Sequence, residues 1–456
     1  MSDNLLRLTK LEMSNFRCFR KMDKPIEFDP NLTVIVAKNG CGKTAVLDAI
    51  RISLGTFTKG TNLRSQAGIS TFDASLSPLR ISQGRGAFYP VAIRVDGFVD
   101  SKAEVWRRVR ESAEGRTTTK EAQPIANFGA RLRDAVSAEG DALPELPILA
   151  FYGTGRLWNA DTDGVKEQML RKGLAFESRF SGYEDALTTN SIYAQVKQWM
   201  GDAWLCRSNP VEQETAVGKQ TSRQYSAVEQ ATNEILKGTG YRSPHFNTYF
   251  KEVALLNDRG GNDEAIAVPI SWTSDGIKAA FSLVADIAYR CARLNPAFGE
   301  EACQKTQGVV MIDEVDLFLH PAWQQRILPD LRRIFPKIQF VVTTHSPQVV
   351  SSVPPECIRI IAEDGQIEGV PTWTEGVESS RILDDVFGTK PYPVENEWRR
   401  KLNQYIKDVY VGKWNDPAVR HVGDELSAKF AGMDADFDTA RLHVENEEWE
   451  RDHASN

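Results

Sequence analysis

From Ala37 to Thr44 the chain reads Ala-Lys-Asn-Gly-Cys-Gly-Lys-Thr. Gly40 and Gly42 permit backbone N–H groups of the Asn39, Gly40, Cys41 and Gly42 stretch to converge on phosphate oxygens, where a Cβ would clash. A helix starting at the end of this loop adds the positive end of its dipole. Lys43 is expected to reach β and γ phosphates, and the Thr44 hydroxyl to ligate Mg²⁺. Ala37 stands where such loops usually carry their first glycine, a sterically mild change.

Two further groups fit the same chemistry. In Val309-Val310-Met311-Ile312-Asp313-Glu314, four apolar residues bury a strand and deliver two carboxylates at its C-terminal end. That end is where α/β sheets place ligands. Asp313 is expected to hold the Mg²⁺ shell and Glu314 to orient and deprotonate an attacking water. His345, in Val-Val-Thr-Thr-His-Ser-Pro, follows another buried strand and is expected to contact the γ-phosphate. Taken singly, the carboxylate pair also suits a solvated strand end, and the histidine a structural role. Three such groups at one sheet edge point to ATP with Mg²⁺.

The elements that must position them are legible as patterns. Leu32–Val36 is a continuous apolar, β-branched run that feeds the glycine loop and then a helix, Ala-Val-Leu-Asp-Ala-Ile-Arg-Ile-Ser-Leu-Gly. Such a run suits a strand buried on both faces. After Glu314, Trp323, Ile327, Leu331 and Ile334 share one helical face before the run Ile338–Ser346, which makes parallel strands joined by a crossover helix. Upstream, Leu6, Leu8 and Leu11, then Ile26 and Phe28, read as an antiparallel edge. The expected fold is therefore α/β, a mixed sheet with an antiparallel edge. Residues 1–160 and 263–368 form the two halves of the nucleotide domain; 161–262, polar and poor in strand signal, form a helical insertion. Residues 369–456 form C-terminal helices in which Trp398, Leu402, Ile406 and Val409 make an apolar stripe. The stripe suits packing within its own domain or docking of a partner.

Composition narrows the class. The chain has 456 residues, 41% hydrophobic and 26% charged, the mix of a globular protein with a large core. A net charge of −7 argues against a surface that grips nucleic acid throughout, so DNA contact by the chain alone is expected to be weak. The six cysteines are scattered without paired spacing, so free thiols and no structural zinc are expected. No long apolar run and no secretion signal is visible, which places the chain in the cytoplasm, with no membrane contact.

These motifs resemble those of the ABC/SMC-like ATPases, a superfamily that includes RecF, the SMC heads and the overcoming-lysogenization-defect proteins. Asn15-Phe16-Arg17-Cys18-Phe19 resembles the opening of that group, Asp313–Pro321 its Walker B segment with D-loop, and Thr343–Pro347 its switch histidine. The resemblance implies a P-loop NTPase of ABC-ATPase type that closes a homodimer, or a higher homo-oligomer, over ATP. The signature segment of one subunit then caps the ATP of the other. Here Trp272–Lys278, with Ser274, Asp275 and Gly276 at its centre, is similar to that signature in degenerate form, and Ser274 and Asp275 also suit an ordinary helix N-cap.

Leu146–Trp158, Thr273–Arg290 and Arg381–Gly388 are similar to segments of Septu-type and retron-associated defence ATPases. That resemblance implies an ATP-dependent sensor subunit of an antiphage complex with a separate HNH nuclease partner. Arg156 suits a nucleotide or dimer contact, or a structural salt bridge. A rival reading is a RecF/SMC-like repair or chromosome-maintenance ATPase acting directly on DNA; a transporter subunit fits poorly. Asp434, Asp436 and Asp438 have a spacing like that of an appended nuclease, but their surroundings read as helices and a solvated acidic loop, without the strands such a site requires.

Overall fold

The computed structural model describes residues 4–63, 68–76, 86–138, 143–155, 178–188, 193–258, 265–370 and 372–453. The chain divides into two compact units, Met1–Ile382 and Leu383–Asn456. The first begins with β1 (Leu6–Phe16), β2 (Phe19–Lys21), β3 (Ile26–Glu27), β4 (Leu32–Ala37) and α1 (Lys43–Gly60). There follow β5 (Val91–Val99), β6 (Lys102–Arg110), α2 (Gln123–Ser137) and β7 (Ile148–Tyr152). Next come α3 (Tyr193–Ser208), α4 (Ala216–Leu236), β8 (Tyr241–Asn247), β9 (Glu252–Asn257), β10 (Ile266–Pro269) and α5 (Asp275–Leu294). The unit's later elements include β11 (Gly308–Ile312), α6 (Ile327–Ile334), β12 (Ile338–Thr344), β13 (Ile358–Ile361) and β14 (Ile367–Glu368).

The central sheet runs β14-β13-β4-β12-β11-β7. From β13 to β7 neighbouring strands are parallel, and β14 is an antiparallel edge. Every position of β4, β7, β11 and β12 is buried, as suits largely apolar, β-branched runs covered on both faces. The N-terminal antiparallel strands do not join that sheet. They make a second one, β2-β1-β5-β6, with β3 also pairing with β1.

Along β1 the buried residues are Leu6, Leu8, Leu11, Met13 and Phe16. The step of three between Leu8 and Leu11 coincides with a register shift between Leu8 and Lys10, a local irregularity that restores the inward face. Gln339, buried in β12, joins the two sheets. Its amide oxygen accepts the Leu8 N–H at 2.8 Å, and its Nε2 donates to the Leu8 and Asp29 carbonyls, both at 2.9 Å. A polar residue in a buried strand is thereby fully used.

Within the stretch expected to be helical, α3 and α4 are accompanied by β8 and β9, which with β10 form a third, antiparallel sheet in the order β10-β9-β8. The signal for these strands is weak. β8 contains Pro244 and is only half-buried along most of its length, and its register shifts between Arg242 and His245. Only Val253, Ala254 and Leu255 of β9 make a buried apolar run.

The second unit contains α7 (Glu397–Asp408), α8 (Pro417–Phe430) and α9 (Ala435–His453). The stripe faces inward. Leu402 and Val409 are buried with Tyr405, Leu426, Phe437 and Ala440, and Trp398 and Ile406 pack against that cluster. The acidic triplet is a helix start rather than a loop. Asp434 Oδ1 accepts the Asp436 and Phe437 N–H groups at 3.1 Å each, capping α9. Asp434 also pairs with Arg399, and Asp438 accepts the Gly432 N–H at 3.0 Å.

Candidate nucleotide-binding site

β4 ends at Ala37 and α1 begins at Lys43, so Lys38–Gly42 form the connecting loop at the C-terminal edge of the central sheet. Gly40 and Gly42 both adopt left-handed φ, +82° and +103°. Gly42 is required for a second reason. A Cβ there would lie 2.4 Å from the Cys18 Sγ and 2.8 Å from the Phe19 ring, both from the Asn15–Phe19 segment. That segment therefore forms the floor of the loop, and Cys18 Sγ approaches the Cys41 carbonyl at 3.7 Å.

The Lys43 ammonium donates to the Ala37 carbonyl at 3.0 Å, and the residue is only 7% exposed. Its pKa is lowered, foremost by burial, against the opposing pull of Asp313 and Glu314. A cation folded back over its own loop suits a group that turns to an anionic ligand. One helical step on, the Thr44 hydroxyl donates to Asp313 Oδ2 at 2.9 Å. Two hard oxygen donors, a hydroxyl and a carboxylate, thus converge beside the phosphate loop, a set that fits Mg²⁺.

Parallel pairing of β11 with β12 and of β12 with β4 brings the ends of these strands together. Asp313 also accepts the Thr343 hydroxyl at 2.5 Å through Oδ1, and its N–H donates to the Tyr152 carbonyl at 2.8 Å. Glu314 has a left-handed φ of +49°, uncommon for a residue with a side chain. His345 lies in the same electrostatic neighbourhood. Its pKa is lowered, foremost by burial and then by the Lys43 charge, with Glu314, Asp316 and Asp313 pulling the other way.

Lys43, Thr44, Asp313, Glu314 and His345 are therefore brought together. Ser274, Asp275 and Gly276 occupy another turn, at the start of α5. Ser274 is the N-cap residue but makes no side-chain capping bond. A Cβ on Gly276 would lie 2.9 Å from the Phe318 carbonyl, so the glycine lets this turn sit against the segment after Glu314. Trp272, just before it, is 72% exposed and packs edge-on against Phe250. Arg156 lies outside the described residues.

Sequence reasoning missed several groups. Thr343 and Thr344 are polar residues at the C-terminal end of buried β12, and Thr344 donates to Asp316 Oδ1 at 2.5 Å. A buried trio joins β7 to α5. The Tyr152 hydroxyl donates to Asp286 Oδ2 at 2.8 Å, and Arg290 pairs with the same carboxylate at 3.2 Å. Its signal was an acid and a base four residues apart on a helix that is otherwise apolar at that level. Arg17 bridges Asp48 of α1 and Asp73, at 2.7 and 2.9 Å, giving the Asn15–Phe19 segment a polar anchor.

The family model described as an AAA domain matches residues 10–237, half of the chain, and the chain belongs to that family. An Escherichia coli protein named retron Ec83 probable ATPase is 25% identical over 490 aligned residues, covering 98% of this chain and 88% of its own. A Vibrio cholerae serotype O1 biovar El Tor protein named retron Vc95 probable ATPase is 24% identical, covering 78% and 74%. Septu protein PtuA of Bacillus thuringiensis is 34% identical over 128 residues, 26% of this chain and 31% of its own. The resemblance to Septu-type and retron-associated ATPases read from the motifs is upheld by these matches. Among the described residues, no helix is long and apolar enough to cross a membrane.

Proposed function

We propose that this AAA-domain chain binds and hydrolyses ATP as the regulatory subunit of an antiphage defence complex, dimerising over nucleotide and controlling a separate nuclease of the HNH type. The observation that carries the ATPase reading is the convergence of Lys43, Thr44 and Asp313, with Thr44 and Asp313 hydrogen-bonded at 2.9 Å. The defence setting is supported by the relatives named for retrons and Septu, two of which align with most of this chain.

In this reading the Asn39–Gly42 N–H groups and the start of α1 cradle the phosphates, and Lys43 leaves the Ala37 carbonyl to neutralise the β and γ oxygens. Thr44 and Asp313 hold Mg²⁺, which when bound withdraws charge from the terminal phosphates. Glu314 accepts a proton from water as the water oxygen bonds to the γ-phosphorus and the bond to the β–γ bridging oxygen breaks. His345, neutral at pH 7, donates to a γ-phosphate oxygen. Ser274, Asp275 and Gly276 supply the uncapped start of α5 to the ATP held by a second copy.

The test pairs biochemistry with infection. Purified chain is assayed for Mg²⁺-dependent phosphate release, and cells carrying it with its neighbouring genes are challenged with phage. Protection that disappears in Lys43→Ala and on deletion of an adjacent nuclease gene is expected. Protection independent of both, or a chain without nucleotide turnover, contradicts the reading.

A further inference from the structure

We propose that Thr343 is a positioning residue for the carboxylate pair, fixing which oxygen of Asp313 faces the divalent cation and the backbone from which Glu314 reaches water. The inference rests on the ATPase reading above and deepens it.

The hydroxyl's two bonds follow from hydrogen-bond arithmetic. Thr343 is 0% exposed at the end of β12, and its Oγ1 lies 2.8 Å from the Glu314 backbone nitrogen and 2.5 Å from Asp313 Oδ1. A backbone N–H can only donate, so Oγ1 must accept from Glu314. Its single hydrogen is then committed to Asp313 Oδ1. Oδ2 meets a different hydroxyl, that of Thr44, at 2.9 Å. One oxygen of Asp313 is thus tied to the sheet, and the other is turned toward the helix that carries the phosphate loop.

The backbone repeats this division of labour. The Thr343 carbonyl accepts the Val315 N–H at 3.0 Å, so a single residue holds the Asp313 side chain and the two peptide groups that follow. Those peptide groups flank the left-handed Glu314, φ +49°, a conformation that persists only where its surroundings impose it. The strand itself has no need of the hydroxyl. Val341 and Val342, its neighbours in β12, are equally buried, and valine matches threonine in shape. A hydroxyl at this position therefore acts on the carboxylates rather than on strand formation. Partners of this kind, behind a metal ligand, set its orientation.

The experiment compares Thr343→Val and Thr343→Ser with wild type by four readouts. These are Mn²⁺ affinity of the nucleotide-bound chain by electron paramagnetic resonance, nucleotide affinity in EDTA, kcat and KM, and thermal melting. Thr343→Val is expected to weaken Mn²⁺ binding and to lower kcat, each by about 10- to 100-fold, with metal-free nucleotide affinity unchanged. Thr343→Ser, which keeps the hydroxyl, is expected to restore both. Wild-type Mn²⁺ affinity in Thr343→Val, a serine variant as impaired as the valine one, or an equal loss of metal-free nucleotide affinity would overturn the assignment. Absence of hydrolysis in the wild type would count against the ATPase reading alone, because the Mn²⁺ comparison still decides the role of Thr343.

Discussion

Thr44 and Asp313 are 269 positions apart in the chain, yet the hydroxyl of one donates to the carboxylate of the other at 2.9 Å. The contact exists because β4 and β11 both pair with β12 in parallel, which brings their C-terminal ends side by side. The start of α1 and the carboxylates after β11 thereby become one site.

Lys43 supplies the cation of that site. Lys43→Ala is expected to lower turnover by about 10²- to 10³-fold, because in the proposed site it removes the cation that would neutralise the β and γ phosphates. Phosphate release and equilibrium nucleotide binding check this, and unchanged values in a folded variant would remove the loop from the account. Thr44→Val is expected to spare nucleotide binding in EDTA while raising the Mg²⁺ concentration needed for turnover.

His345 gives a pH signature. Its pKa in the folded chain lies below the ordinary value of 6.5, chiefly through burial, so protons bind the unfolded chain more tightly. Its contribution to stability is complete above about pH 6.5 and declines as pH falls through that value toward the folded pKa. Melting of wild type and His345→Gln between pH 5 and 8 should show the variant losing less stability on acidification. Parallel curves would show that His345 is not held in a burying environment.

The C-terminal unit has its own core. Leu402→Ala, at a fully buried position, is expected to cost about 2–5 kcal/mol of that unit's stability. Chemical denaturation followed by Trp398 and Trp414 fluorescence would measure it. A cost near zero would mean the stripe is not packed as described.

The isolated chain is expected to cut no DNA with Mg²⁺ or Mn²⁺. Asp434 is committed to the α9 cap and to Arg399, and Asp438 to the Gly432 N–H. Metal-dependent plasmid nicking that survives Lys43→Ala and disappears in the triple Asp→Asn variant of 434, 436 and 438 would refute this.

Much of this site was legible because its parts lie in sequence-local patterns. A buried apolar run, glycines and then Lys43-Thr44 specify strand, loop and helix without tertiary knowledge, and the run ending in Asp313-Glu314 does the same. The Cys18–Gly42 contact was not legible, because it depends on how closely two segments approach. The role of Gly276 depends likewise on the Phe318 carbonyl across space. The separate N-terminal sheet was missed because alternation along β1 reports which face is buried and not which sheet it joins. The hairpin of β8 and β9 was hidden by Pro244 and by the half-exposed, polar character of its first strand.

The most direct test of the account is the size of the Glu314→Gln variant with and without ATP and Mg²⁺, measured by light scattering coupled to gel filtration. Removing the base while leaving the binding groups intact is predicted to slow hydrolysis and to shift the chain, with ATP only, to a species of at least twice the mass. A variant that hydrolyses ATP like the wild type and keeps one mass in both conditions would contradict it.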